Sequence, residues 1–270
     1  MKSEAFINTI QRNNSTLLTK VYCTQPFKVT NITENKQDKW LRLMLGSSSP
    51  GILNGDELLI RVEVGSGSFL HLTTQSYQRL FNMHSGASQQ MNINVGKGAS
   101  FIFLPHPTVP HRRSSFTANN KIYLSKSSTL LWSEILTCGR KLSGEMFSFS
   151  KYQSITEIYV DHQLVLKENL LIQPALMKVS NIGNMEGFSH QATLIFMDEE
   201  VPMKQLMKEL SDILACEEAQ AFGITATQQN GLVIRLLGYK AEQIFDCFGV
   251  IANKIMEFIP AIQIPTLASK

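Results

Sequence analysis

Between residues 40 and 173 apolar side chains recur at every second position, a texture that fits layered β-sheet and little else. Ile60, Val62 and Val64 alternate with Arg61 and Glu63, and Met91, Ile93 and Val95 alternate with Gln90, Asn92 and Asn94. A period of two sends alternate side chains to opposite faces, so these segments read as half-buried strands. Short glycine turns separate them, as in Gly65-Ser66-Gly67 and Gly96-Lys97-Gly98. The two turns belong to a weak internal echo. Glu63-Val-Gly-Ser-Gly-Ser-Phe-Leu70 is answered 31 residues later by Asn94-Val-Gly-Lys-Gly-Ala-Ser-Phe101. That offset suits one coil of a stacked β structure, and two unrelated hairpins with the same turn chemistry would also produce it.

Residues 1 to 16 are polar and are expected to fray. Leu17 to Thr24 reads as a first strand, Pro26 and the polar segment 31–38 as a loop, and Trp40 to Leu45 as a second strand. Gly46-Ser47-Ser48-Ser49-Pro50-Gly51 then gives a strong turn signal. Past residue 190 the character changes. Ala192 to Met197 is a strand, and Asp198-Glu199-Glu200 places negative charge ahead of Pro202, a favoured first helical residue. Met203, Leu206, Met207, Leu210, Ile213 and Leu214 follow at helical spacing. Phe222 to Gln228 and Leu232 to Leu237 form a hairpin through Gln229-Asn230-Gly231. Ile244, Phe248, Ile251, Ile255 and Ile259 line a second helix that must stop by Pro260.

The fold class expected is therefore mainly β: a large stacked or helical-type β-sheet body with a small C-terminal α+β part carrying two α-helices. One domain spans 1–270, with the β body over about 17–190 and a βαββα part over about 191–260. Long helices are predicted only near 202–215 and 240–258. With 43% hydrophobic and 17% charged residues, a chain of 270 residues can bury a sizeable core.

One stretch carries an acid where the pattern calls for an apolar residue. Thr129-Leu130-Leu131-Trp132-Ser133-Glu134-Ile135-Leu136-Thr137 holds Glu134 in its middle, followed by turns at Gly139-Arg140 and Gly144-Glu145. A lone buried carboxylate is costly unless paired. Arg140 is the nearest partner in sequence, with Glu145 competing for it, so a structural Glu134–Arg140 ion pair is expected. The alternative is a polar site inside the β body.

Other chemistry is thin. Cys23, Cys138, Cys216 and Cys247 form no C-x-x-C pair, and no two of the six histidines stand at helical metal-site spacing. His106 and His111 lie in a proline-stiffened loop that can present two imidazoles. There is no nucleophile elbow, phosphate loop or dinucleotide fingerprint, so no enzyme class stands out. A net charge of +3 from 25 basic and 22 acidic residues, spread along the chain, gives no footprint for nucleic acid or a membrane surface. No run approaches the ~20 apolar residues of a membrane span. With no signal-peptide pattern at the N-terminus, a cytoplasmic location with reduced thiols is expected.

Six short motifs then occur in order: Ser49-Pro50-Gly51; Gly55-Asp56; Leu72-Thr73-Thr74-Gln75-Ser76; Phe103-Leu104-Pro105-His106-Pro107; Gly139-Arg140 with Gly144-Glu145-Met146-Phe147; and Arg235-Leu236-Leu237-Gly238. Together, over about residues 17–259, they resemble the UreD (UreH) family of urease accessory proteins. Phe81-Asn82-Met83 and His111-Arg112-Arg113 depart from the commoner pattern. The resemblance implies a non-enzymatic assembly factor with a largely β, helix-like stack of sheets. It implies binding to apo-urease, to UreF and to the GTPase UreG, installation of two nickel ions, and passage of nickel through a water-filled interior route. No tightly bound cofactor is implied, only transient nickel.

A conduit needs a few carboxylates or imidazoles rather than a closed cage. Asp56, Glu134, Glu145 and His106 are the candidates for that passage. The rival expectation is an all-β adaptor that offers surfaces to partners and transfers no metal.

Overall fold

The computed structural model describes residues 1–35, 38–215 and 221–259; Cys216 and the helix stop expected at Pro260 lie outside them. The chain winds back and forth between two facing sheets. Strands β1 (Lys2–Arg12) and β2 (Ser15–Cys23) pair antiparallel at one end of the first sheet, and β3 (Phe27–Asn31) and β4 (Trp40–Ser47) do the same in the second. Two coils follow. β5 (Glu57–Val64) lies in the first sheet, β6 (Phe69–Thr74) in the second and the short β7 (Gln78–Leu80) at the side. β8 (Ala87–Val95), β9 (Ser100–Leu104) and β10 (Thr108–Pro110) repeat that circuit. β11 (Ser115–Leu124) and β12 (Thr129–Thr137) make most of a third turn, and β13 (Lys151–Val160) with β14 (Gln163–Ile172) ends the first sheet as a hairpin.

Each coil stacks in parallel on the one before. Glu63 lies beside Asn94 in the β5–β8 ladder, and Asn94 Nδ2 donates to Glu63 Oε1 at 2.8 Å. The internal echo is thus one coil of the stack. The remaining elements are β15 (His190–Met197), α1 (Met203–Ala215), β16 (Ala221–Thr227), β17 (Gly231–Gly238) and α2 (Ala241–Glu257). The strands among them extend the second sheet, which runs β16-β17-β15-β12-β9-β6-β4-β3 with the short β7 and β10 at its side; the first runs β14-β13-β11-β8-β5-β1-β2. The two long helices fall where helical spacing placed them, and residues 40–173 hold strands, turns and one short 3-10 turn at Lys141–Ser143.

The N-terminal expectation is corrected. Residues 2–12 do not fray but form β1, paired with β2 and in parallel with β5. Ser3, Ala5, Ile7 and Thr9 are buried while Lys2 and Glu4 face out. Small and polar inward residues disguised the period of two.

Two apolar layers result. Val62, Leu70, Leu72, Ile93, Phe101 and Trp132 fill the space between the sheets. On the outer face of the second sheet, Leu206, Leu210, Ile244, Phe248 and Ile251 of the helices cover Leu131, Ile135, Leu194 and Ile234. A strand covered on both faces reads as a continuous apolar run. β12 is such a strand, and Glu134 is its one residue that is not fully buried.

Candidate functional site

Glu134 has the parity of Leu130, Trp132 and Leu136, so it points between the sheets. Its Oε1 accepts three hydrogen bonds: from Asn120 Nδ2 at 2.9 Å, Thr156 Oγ1 at 2.9 Å and Trp132 Nε1 at 3.1 Å. Asn120 and Thr156 come from β11 and β13 of the opposite sheet, and Asn120 Nδ2 also donates to Thr156 Oγ1 at 3.0 Å. The accessible surface that Glu134 keeps faces two cavities. One, of about 160 Å³, extends toward Asp56, Gln78 and His106; the other, of about 110 Å³, extends toward Glu168, Gln191 and Thr193. Trp132, Glu134, Tyr152 and Ser154 line both, so Glu134 stands on the wall that the two cavities share.

The electrostatics follow from burial without a counter-charge. Loss of solvent pushes the Glu134 carboxyl above the ordinary carboxylate range. The hydroxyls of Ser154 and Thr156 and the Trp132 indole pull it part of the way back, and the Glu168 charge adds to the rise. Burial, followed by the Glu134 charge, pushes the Tyr152 hydroxyl well above its usual value. Two residues of the larger cavity's lining carry a polar atom that is buried without a well-formed hydrogen bond, Asn120 Oδ1 and Ser154 Oγ. Unsatisfied acceptors beside an acid in a cavity roomy enough for water are places where water or a cation gains partners.

The Glu134–Arg140 ion pair expected from the sequence does not form. Arg140 instead forks Glu145, with Nε to Oε2 at 2.9 Å and Nη2 to Oε1 at 2.5 Å. Glu134 sits in mid-strand facing inward, whereas Arg140 lies past the strand end, beyond Gly139 at φ +114°. Three residues of strand at about 3.3 Å each already put the strand end ~10 Å away. Glu145, expected as a passage acid, is therefore also displaced. Its carboxyl is held below the ordinary range by Arg140, it accepts from the Arg112 amide, and it lines neither cavity.

Asp56 and His106 both line the larger cavity. Asp56 is buried; its Oδ2 accepts from the Leu53 amide at 2.8 Å and its Oδ1 from the Met1 α-amino group at 3.1 Å. Thr74 Oγ1 accepts from the His106 amide at 2.9 Å and lies within hydrogen-bond distance of the ring Nδ1, at 3.0 Å. The ring stacks on Phe245 of α2 at 4.7 Å, and burial lowers its pKa. Among the described residues no group of three or more His, Cys, Asp or Glu is placed to hold a metal ion. The donors that the sequence left unmarked are Asn120, Tyr152, Ser154 and Thr156. Their signal was present: Asn120 interrupts the inward row Phe116, Ala118, Ile122 and Leu124.

Among the described residues no helix is long and apolar enough to cross a membrane. The family described as UreD urease accessory protein matches residues 2–262. The urease accessory protein UreD of Flavobacterium johnsoniae is 44% identical over 239 residues, covering 88% of this chain and 86% of that protein. The UreD proteins of Acetivibrio thermocellus and Haemophilus influenzae are each 32% identical, covering 93% and 92% of this chain respectively and 96% of either relative.

Proposed function

The chain belongs to the UreD family of urease accessory proteins, and from that premise we propose that it is a non-catalytic scaffold bridging apo-urease to UreF and the GTPase UreG while nickel crosses its interior. The observation that carries the nickel part is Glu134: a carboxylate without a counter-charge, on the wall shared by two cavities between the sheets. A buried acid forked by arginine is a poor exchange ligand, because it must first lose its partner. Glu134 is held only by neutral donors on one oxygen, so a passing divalent cation has a charge to pair with and no cation to displace. Asn120 Oδ1 and Ser154 Oγ supply two further oxygens of the hard or borderline kind that bind such an ion loosely. Asp56 and His106 stand on the wall of the larger cavity, on the route toward Glu134. Nickel here is cargo, and the scarcity of ligands suits a route better than a store.

The test separates scaffold from route. Ser154 lines both cavities, so Ser154→Leu should obstruct their junction while leaving the outer surfaces unchanged. The variant should co-purify with UreF, UreG and apo-urease as the parent does, and urease matured with it should contain less nickel. Normal nickel loading with a normally assembled complex would leave the chain an adaptor with no metal-transfer role.

A further inference from the structure

The register of the two sheets places Glu134 at one end of a polar layer whose other end reaches solvent. In the second sheet Glu134, Thr193 and Arg235 lie side by side across β12, β15 and β17. In the first sheet Asn120, Thr156 and Glu168 lie side by side across β11, β13 and β14. Residues paired in this way project to the same face. The two rows face each other and are joined at both ends. Asn120 and Thr156 donate to Glu134 at the inner end, and Arg235 Nη2 pairs with Glu168 Oε1 at the outer end. β14 is the edge strand of its sheet, and the Arg235 and Glu168 side chains are 47% and 28% exposed. The smaller cavity lies between these ends, lined by Glu134, Thr156, Thr193 and Glu168.

We propose that the Glu168–Arg235 pair is a latch across the edge mouth of the smaller cavity, and that a divalent cation inside the cavity opens it by taking the Glu168 carboxylate from Arg235. The cation as opener rests on the passage reading above; the latch itself does not. A guanidinium across the mouth opposes the exit of a cation for as long as it stays there. An ion pair this exposed is weakly held in water, so it can open and close without disturbing the core. Glu134 and Glu168 occupy the same layer, one deep and one at the rim. A dication leaving the first meets the second as its next carboxylate, and the displaced Arg235 swings toward solvent. The Glu168 charge already bears on Glu134, which places the two acids within electrostatic reach.

Trp132 lines both cavities and is one of two tryptophans in the chain, so a change in its quenching when only the latch is altered reports access through the smaller one. In the full chain carrying Trp40→Phe, acrylamide should quench Trp132 weakly. Adding Arg235→Met or Glu168→Gln should raise the quenching constant at least threefold, and the exchange Glu168→Arg with Arg235→Glu should bring it back down. Nickel added before the acrylamide titration should raise the constant of the latched chain toward that of Arg235→Met. If Trp40→Phe does not fold, the labelling rate of Thr193→Cys by a small thiol reagent, read by peptide mass, replaces the quenching. Unchanged access in both single variants, with native melting temperatures, overturns the latch. Raised access in the variants with no response to nickel overturns the cation as its opener. Raised access in Arg235→Met together with a nickel content of urease that no cavity variant changes would count against the passage reading and leave the latch standing.

Discussion

Replacing Glu134 separates what its hydrogen bonds contribute from what its charge costs. In Glu134→Ala the Trp132 indole N–H and the Thr156 hydroxyl lose the oxygen they donate to, whereas Asn120 Nδ2 keeps Thr156 Oγ1. Two buried donors left unpaired at about 1–3 kcal/mol each amount to ~2–6 kcal/mol of lost stability. Relief from burying an acid offsets part of that loss. Glu134→Gln is a different perturbation. Its carbonyl oxygen can receive the same three donors, and its amide shares a cavity with Asn120 Oδ1 and Ser154 Oγ, which have acceptor capacity to spare. The Gln variant should therefore stay within about 1 kcal/mol of the parent, or exceed it. Urea unfolding followed by far-ultraviolet circular dichroism, with unchanged m-values, measures both. The pH dependence supplies the sign. The folded-state pKa of Glu134 is raised, so the folded chain favours the proton, and that advantage is lost as pH rises through the folded value. The gap between Gln variant and parent should thus widen upward from the ordinary carboxylate range and then level off. A Gln variant that loses as much stability as the Ala variant at every pH would refute this reasoning, because it would make the negative charge the stabilising element.

Three shorter predictions concern other parts of the molecule. His71 lies half-buried beneath α2 with its Nε2 enclosed, and its pKa is lowered to about 4 by loss of solvent and then by Arg42, so it holds no proton in the folded chain at neutral pH. The associated stability is present above pH 6.5 and lost as pH falls toward 4, to a total of about 3 kcal/mol; His71→Gln should flatten that part of a pH–stability curve. Gly139 sits at φ +114°, and a Cβ there would lie 2.8 Å from the carbonyl oxygens of both Glu145 and Pro110. Gly139→Ala should lower stability by at least about 2 kcal/mol, read as a drop in melting temperature. Glu145→Gln should leave the nickel content of matured urease unchanged, whereas Asp56→Asn should reduce it with the complex still assembled; the reverse result would return the passage to the Arg140 loop.

Much of the fold was legible because coiling a chain between two sheets leaves periodic marks. The strands of the first sheet, such as β5, β8 and β11, show the period of two, and glycine turns recur where the chain leaves β5 and β8 for the second sheet. The echo at Glu63 and Asn94 is the clearest such mark, since the two residues are stacked neighbours. β1 escaped notice because its inward residues include Ser3 and Thr9, and burial of a hydroxyl leaves no hydrophobic signature. The C-terminal strands gave a correct local order, strand, helix, hairpin, helix. Their continuation of the second sheet through the β12–β15 ladder depends on a pairing across tens of residues that local pattern does not encode.

The site was legible to a lesser degree, for a reason that is itself structural. An acid inside an apolar run marks Glu134 from sequence alone, but the partner nearest in sequence was the wrong one to seek. Along a helix a residue six positions away is less than two turns distant; along a strand it is ~20 Å away. The groups that meet Glu134 across a sandwich come from the opposite sheet, 14 residues away at Asn120 and 22 at Thr156. Those donors are neutral, and this distinction bears on function. A buried Arg–Glu pair would have made the centre of the sandwich a structural fastening, costly to open. Neutral donors on a single oxygen leave the carboxylate charge-unpaired beside open volume, and the only ion pair of the layer stands at its solvent edge, between Glu168 and Arg235 among the described residues. The layer thus keeps its strongest attraction for a cation deep inside and its one competing cation at the rim, an arrangement suited to an ion in transit.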